Sequence, residues 1–261
     1  MGLKTKAISG FLWSSAGTIG NGLVSFLVTI ILARILTPED FALVALLTVF
    51  VTISNVIVDS GFSQAIIRDD NPSDIDLSSV FYFNLILSVL IYAVLFAISP
   101  YIAKFYNEPK LISLSRVVFL IIIFNSFIII QNATLKRNLN FSTLEKSSVL
   151  GSIVAGTTSV IMAFSGYGIW AIVANMVLMP FFRAAFLWIY SDWRPVFKFR
   201  LRSIRKYFKF GIFLMLNSVI DMIITNLNTL VIGKFYTKNE LGYYSQACKL
   251  GTYIVGTVVK C

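Results

Sequence analysis

The sequence predicts an all-α integral membrane protein, a polytopic bundle of transmembrane helices. Seven long apolar stretches alternate with short polar loops, and most approach the roughly 20 residues that a helix needs to cross the hydrocarbon core. Apolar residues make up 57% of the chain and charged residues 13%, and the mean hydropathy is +0.82. This composition leaves too few polar residues to coat a soluble domain.

The predicted spans follow one another with short connections. Lys4 and Lys6 precede a first apolar stretch that is too long for a signal-peptide core, so we predict a retained signal anchor. An eighth apolar stretch begins at Tyr243 and is still incomplete at Cys261, so we expect about eight spans in an apparently truncated chain. The seven complete spans are predicted at 11–33, 41–58, 80–99, 114–131, 149–165, 169–190 and 210–231.

The basic residues predict the orientation in the membrane. Loops on the side of the N-terminus carry thirteen Lys and Arg residues, against six on the other side. Because basic loops stay on the inner side, we predict a protein of the bacterial cytoplasmic (inner) membrane with a cytoplasmic N-terminus. Topology and anionic lipid account for the net charge of +10, so nucleic-acid binding is not expected.

Two parts of the chain resemble each other at an offset of 200 residues. In 33–41 and 233–241 a cation, a Thr, an acid and an apolar residue recur in the same order between two apolar spans. Six spans separate the copies, so both have the same orientation, as in transporters built from parallel repeats. Chance similarity between apolar segments is the alternative. We predict a complete six-helix lobe at 1–190 and the first two helices of a second, pseudo-symmetric lobe at 210–261.

The segment between the lobes, 191–209, is predicted to be an amphipathic basic linker helix. Phe197, Leu201, Ile204 and Phe208 recur at helical spacing, and basic residues recur on a different face. Such a helix lies in the membrane interface with its basic face toward anionic headgroups. A simple positively charged loop is the alternative.

Polar side chains form stripes inside three of the predicted spans. Asn21 belongs to the stripe of the first span and Asn55 to that of the second, while Asn217, Asp221 and Asn228 lie in the seventh. Polar groups cost free energy in hydrocarbon, so each stripe must face other helices or a water-filled cavity. Hydrogen bonding between helices is the alternative to a substrate role.

Three charged residues within the predicted spans are candidates for a site. Asp221 is far from both ends of the seventh span, so we expect it to line a cavity or meet a cation. Arg183 either belongs to a site or extends toward the headgroups, and Lys249 lies near a span end. The candidate substrate-binding cavity therefore comprises Asn21, Asn55, Arg183, Asn217, Asp221, Asn228 and Lys249.

Several enzyme classes lack the residues that they need. The chain contains no His, no P-loop, no GxSxG motif and no acidic cluster at metal-ligand spacing. The acidic run at 69–76 is typical of a turn followed by a helix N-cap. We therefore predict neither catalysis nor a cofactor nor a metal site.

Several blocks of the chain resemble those of a known family, and they lie at 33–45, 59–67, 105–109, 166–171, 193–195, 232–236 and 241–245. These blocks are similar to bacterial polysaccharide-repeat-unit flippases of the Wzx type, including colanic-acid and teichuronic-acid exporters. This family belongs to the multidrug, oligosaccharidyl-lipid and polysaccharide exporter superfamily, which has two six-helix lobes around a central cavity. Its members have twelve or more spans, from which this chain departs.

The resemblance implies translocation of an undecaprenyl-diphosphate-linked oligosaccharide from the cytoplasmic to the outer leaflet. Polar stripes would exchange hydrogen bonds with sugar hydroxyls, and Arg183 or Lys249 would offset the diphosphate charge. Asp221 would pair with one of these cations or bind a coupling H⁺ or Na⁺. The lipid bilayer, a polysaccharide polymerase and the export machinery are the implied partners. A drug antiporter of the same superfamily, a membrane enzyme of the pathway and a non-transporting scaffold are the alternatives.

Overall fold

The computed structural model describes the backbone of residues 3–259 and the side chains of residues 8–249 and 251. All regular secondary structure in this part of the chain is helical, as predicted. The helices are α1 (Leu3–Ile35), α2 (Pro38–Asp59), α3 (Phe62–Arg68), α4 (Asp74–Phe105), α5 (Lys110–Val118), α6 (Leu120–Arg137), α7 (Phe141–Phe164), α8 (Ile169–Tyr190), α9 (Leu201–Phe235) and α10 (Lys238–Val259).

The described residues contain seven helical segments that are long and apolar enough to cross a membrane. This confirms the seven complete spans predicted from the sequence, and α10 follows as an eighth helix. Two of the segments join consecutive helices, α2 with α3 and α5 with α6. The α2–α3 break lies at Ser60 and Gly61, whose φ angles of 47° and 72° are left-handed and end α2.

Hydrogen-bonded caps start several helices where the sequence predicts a turn. Thr37 caps α2, and the Asp40 carboxylate accepts hydrogen bonds from the Thr37 backbone N–H and hydroxyl. Ser73 caps α4 in the same manner with Asp76. The acidic run at 69–76 is therefore a turn and an N-cap, as predicted.

Helix α7 packs between α1 and α8 through small residues. Its glycines at 151 and 156 leave no room for a side chain, because they lie against the backbone of Arg183 in α8 and the side chain of Val28 in α1. Ser159 donates a hydrogen bond to the Ala171 carbonyl at 2.7 Å. Small residues and hydroxyl groups thus hold these helices together, which is common in membranes.

Helices α9 and α10 form a second hairpin that packs on α2. Leu46 of α2 lies against Gly233 of α9, and Gly242 of α10 lies against the backbone of Pro38 at the start of α2. At the other end of α9, Gly211 contacts the backbone of Gly61. Glycine is required at these positions because a β-carbon would overlap the neighbouring helix.

Side-chain hydrogen bonds and an ion pair join α9 and the start of α10 to helices α1–α8 at both membrane ends. At the end that holds the α3–α4 loop and the α8–α9 segment, here called the basic end, Asp69 accepts hydrogen bonds from Lys206 at 2.5 Å and Tyr207 at 2.7 Å. The Lys206 hydrogen bond holds the pKa of Asp69 below its ordinary value. At the opposite end, Lys234 donates to the Phe105 carbonyl at 2.7 Å, and Lys238 forms an ion pair with Glu108.

The linker expected as a separate helix at 191–209 has a different structure. Residues 191–200 are not helical and include a bend at Phe197, and α9 runs without interruption from Leu201 into the seventh span. The prediction of one helix over the whole segment is therefore wrong. Backbone N–H groups of Val196 and Arg200 donate to Ser78 and Ser79 of α4, so tertiary hydrogen bonds replace helical ones in the first half of the segment.

Candidate functional site

A band of polar side chains on α6 joins this helix to α2 and α8. Asn125 donates a hydrogen bond to Asn55 of α2 at 3.2 Å. Arg183 of α8 donates to Asn132 at 3.4 Å. Asn125 and Asn132 are seven residues apart, which places them on one face of α6 with about 10 Å between them along the axis. We call Asn55, Asn125, Asn132 and Arg183 the α6 polar band.

The four side chains of the α6 polar band are half-buried, so each keeps part of its surface accessible to a ligand. The Nε atom of Arg183 is buried and has no hydrogen-bond partner among the described residues. A guanidinium and three amides provide several donors and acceptors within a few helical turns. Such a set can bind hydroxyl groups and an anion together.

The charge of Arg183 is opposed by a carboxylate of α7. Glu145 attracts the Arg183 guanidinium, and it lies directly over Gly17 of α1. A β-carbon at position 17 would overlap the Glu145 carboxylate, so the glycine makes room for this charge. Glu145 lines a cavity of about 300 Å³ together with Trp13 and Tyr190.

Asn21 holds α1 on α7. Its amide nitrogen donates to Ser148 at 3.1 Å, and its amide oxygen accepts a hydrogen bond from Ser152 at 2.7 Å. Both polar atoms of the side chain are therefore bonded to the neighbouring helix. This arrangement matches the interhelical alternative that the sequence left open for the polar stripes.

The polar residues of α9 lie on an exposed face. Gly211, Met222 and Gly233 are spaced by eleven residues, and the two glycines mark the face that packs on α2. Asn217, Asp221 and Asn228 lie on another face, and all three are exposed in the structure. Asn228 also lines a cavity of about 420 Å³ whose other residues are Val231, Ile232, Tyr236 and Glu240.

Lys249 lies where α10 meets α2. Its ammonium group is 5.9 Å from the centre of the Phe41 ring, within cation–π range. One turn earlier, both amide atoms of Gln246 are buried without a hydrogen-bond partner among the described residues. Gln246 lines a cavity of about 230 Å³ between α1, α2 and α10, together with Thr29 and Phe41.

The seven predicted residues thus do not form one site. Asn55 and Arg183 each bond to a different Asn on one face of α6, whereas Asn21 and Lys249 lie in separate helix contacts. The α6 partners Asn125 and Asn132 were not predicted, although their spacing of seven residues in an apolar span is a detectable signal. Among the described residues, no group of three or more His, Cys, Asp and Glu is arranged to hold a metal ion.

The chain matches known proteins over most of its length. The polysaccharide biosynthesis protein family matches residues 31–260. The teichuronic acid biosynthesis protein TuaB of Bacillus subtilis (strain 168) is 28% identical over 252 residues, covering 96% of this chain and 52% of TuaB. The lipopolysaccharide biosynthesis protein WzxC of Escherichia coli (strain K12) is 28% identical, covering 95% of this chain and 51% of WzxC. The chain spans about half the length of these relatives.

Solved structures share the fold. A MOP superfamily transporter from Pyrococcus furiosus superposes with a TM-score of 0.64 at 16% identity, covering 96% of this chain and 61% of that chain. An inward-facing multidrug resistance MATE family transporter of the same superfamily gives a TM-score of 0.58 at 17% identity, covering 95% and 59%. The chain has the fold of MOP superfamily transporters and belongs to the polysaccharide biosynthesis protein family.

Proposed function

We propose that this chain acts in a transporter that moves undecaprenyl-diphosphate-linked oligosaccharide units from the cytoplasmic to the outer leaflet of the bacterial inner membrane. Membership in the polysaccharide biosynthesis protein family supports the substrate class. A relative from Rhizobium meliloti (strain 1021), 26% identical over 243 residues, is named a succinoglycan biosynthesis transport protein, which supports transport as the activity.

The α6 polar band is the observation that carries this proposal. Amides and a guanidinium are costly within a membrane bundle unless they serve packing or a ligand. The buried Nε of Arg183 has no hydrogen-bond partner among the residues that the structure describes, so packing within them does not use all its donors. A sugar with a diphosphate offers the hydroxyl groups and negative charge that this set can bind.

Each residue of the α6 polar band has a role in the proposal. Asn55, Asn125 and Asn132 exchange hydrogen bonds with sugar hydroxyls. Arg183 offsets part of the diphosphate charge, while the lipid tail stays in the bilayer. Glu145, which attracts Arg183, is the carboxylate best placed to couple transport to H⁺ or Na⁺. The reaction breaks no covalent bond, so we propose no enzymatic activity.

Depletion of the protein in its source cell tests the proposal. We expect complete lipid-linked repeat units to accumulate facing the cytoplasm, as measured by extraction of membrane lipids before and after enzymatic labelling of surface sugars. Expression of the Arg183→Gln variant is expected to leave most units inside, because the neutral amide cannot offset the diphosphate. Arg183→Lys keeps the charge and is expected to restore part of the transport.

Arg34→Gln is the matched control, because it removes the same charge as Arg183→Gln. Arg34 is exposed at the membrane end opposite the basic end, away from the α6 polar band. Immunoblots of membranes check that all variants reach the same abundance. If units still reach the outer leaflet after depletion, with no compensating flippase, the proposal fails. Transport of a cationic dye without any lipid-linked sugar would instead establish a drug antiporter.

A further inference from the structure

The non-helical segment between α8 and α9 is held at the edge of the bundle by buried hydroxyl groups. The backbone N–H groups of Val196 and Arg200 donate to the hydroxyls of Ser78 and Ser79, each at 2.9 Å. Both serines are fully buried in α4. Backbone groups near hydrocarbon need partners within the protein, so these bonds allow a non-helical chain to lie at this level.

The apolar side chains of this segment are uncovered. Phe197 is 98% exposed, Phe199 51% and Leu201 74%. The Phe197 ring stacks on Tyr82 with 6.4 Å between ring centres. Tyr82 lies two turns inside α4, in its apolar part, so Phe197 is at the level where hydrocarbon begins.

Basic side chains alternate with these apolar ones. Lys198, Arg200 and Arg202 are all exposed, and neither ion pair of the described side chains includes them. Arg200 has extended backbone angles, φ −131° and ψ 109°, whereas Phe197 lies in a bend and Leu201 and Arg202 belong to the first turn of α9. The segment thus exposes apolar and basic side chains next to one another, so the apolar ones can enter the membrane while the basic ones meet charged groups.

We propose that residues 196–202 form a binding surface for anionic phospholipids, independent of any transported substrate. Phe197, Phe199 and Leu201 insert among acyl chains, and Lys198, Arg200 and Arg202 pair with headgroup phosphates. The occupant is a lipid rather than a soluble anion, because a soluble anion would leave the three apolar side chains uncovered. The basic side chains thus bind the headgroup of a phospholipid, and the apolar side chains bind its acyl chains.

Lipid retention by the purified chain tests this surface. The full chain is reconstituted in nanodiscs that contain equal amounts of phosphatidylglycerol and phosphatidylcholine, then released in mild detergent, and native mass spectrometry counts the retained lipids. We expect wild type to prefer phosphatidylglycerol. Each charge removed is expected to lower the ratio of retained phosphatidylglycerol to phosphatidylcholine about fivefold. The double variant K198Q/R200Q is therefore expected to lower this ratio roughly 25-fold.

The control variant K104Q/K110Q removes two exposed lysines at the opposite membrane end. We expect it to retain the preference, and an equal loss in both double variants would overturn the proposal.

Phe197→Ser is expected to retain fewer lipids of both classes, and an unchanged number contradicts insertion. Excess inorganic phosphate should not displace phosphatidylglycerol, and displacement would mean that a free anion suffices. Unfolding midpoints check that every variant is folded.

Discussion

The α1–α2 and α9–α10 hairpins share a local design but differ in what covers them. In both, a Thr begins the second helix and an acidic side chain three residues later accepts its backbone and hydroxyl hydrogens. Thr37 pairs in this way with Asp40, and Thr237 with Glu240. The two turns coincide at an offset of 200 residues, as the sequence repeat predicts. A four-residue motif is sufficient to form this turn because its bonds are local.

The helices before these turns show the difference. On α1, three residues lie against α7: Gly17 under Glu145, Asn21 bonded to two serines, and Val28 against a glycine. The same positions on α9 are exposed. These α9 residues are Asn217, Asp221 and Asn228.

The comparison shows that a polar stripe does not by itself identify a substrate site. The stripe of α1 provides helix contacts, because α7 supplies hydroxyl groups at the matching height. Variants at equivalent positions of the two hairpins can test this reading.

The largest difference is expected at positions 17 and 217. Gly17→Leu places a side chain where the Glu145 carboxylate lies, so we expect it to lower the free energy of unfolding by about 3 kcal/mol. Asn217 is exposed in the described structure, so Asn217→Leu is expected to change this free energy by less than about 0.5 kcal/mol. Equilibrium unfolding in mixed micelles measures both. Equal losses would mean that the two helix faces have similar surroundings.

Positions 21 and 221 should differ next. Asn21→Leu removes two hydrogen bonds and leaves two serines without this partner, so we expect a loss of about 1.5 kcal/mol. Asp221→Leu removes an exposed carboxylate from the middle of an apolar helix and is expected to be neutral or stabilising in this chain. The same unfolding assay applies. A loss at Asp221 as large as at Asn21 would show that Asp221 already has a structural partner.

The two caps should behave alike. Thr37→Ala and Thr237→Ala each remove the hydroxyl that accepts a backbone N–H at the start of a helix, so we expect about 1 kcal/mol of destabilisation from each. Thermal unfolding of the two variants, with Thr29→Ala as a control away from the turns, measures these effects. Unequal losses would show that the surroundings modify the turn.

The smallest effect concerns the pair that fixes the basic end of the second hairpin. The pKa of Asp69 is lowered by its hydrogen bond from Lys206, so the pair stabilises the fold above the unfolded-state pKa. This contribution is lost as the pH falls through the lowered pKa. Because Lys206 is half exposed, we expect less than about 1 kcal/mol. Asp69→Asn should remove this part of the acid dependence, as unfolding near neutral pH and below about pH 4 would show.

Sequence reasoning predicted the spans and the turn with a helix N-cap at 69–76, because each rests on nearby residues. It was wrong about the linker, where helical spacing suggested one amphipathic helix over 191–209. Two serines of α4, more than 100 residues away, bind the backbone there and keep its first half non-helical. Asn55 and Arg183 were predicted individually, but their connection through Asn125 and Asn132 was not.

The sequence by itself determined that this is a helical membrane protein with long apolar spans and short polar turns, because hydropathy and turn signals act over a few neighbouring residues. Only the tertiary structure decided which polar groups are used in packing and which keep a spare donor. Asn21 and Arg183 are both polar residues in apolar spans, yet one has both amide atoms bonded and the other retains a buried Nε. The choice depends on which helix lies beside each residue, and that is set by packing between distant segments.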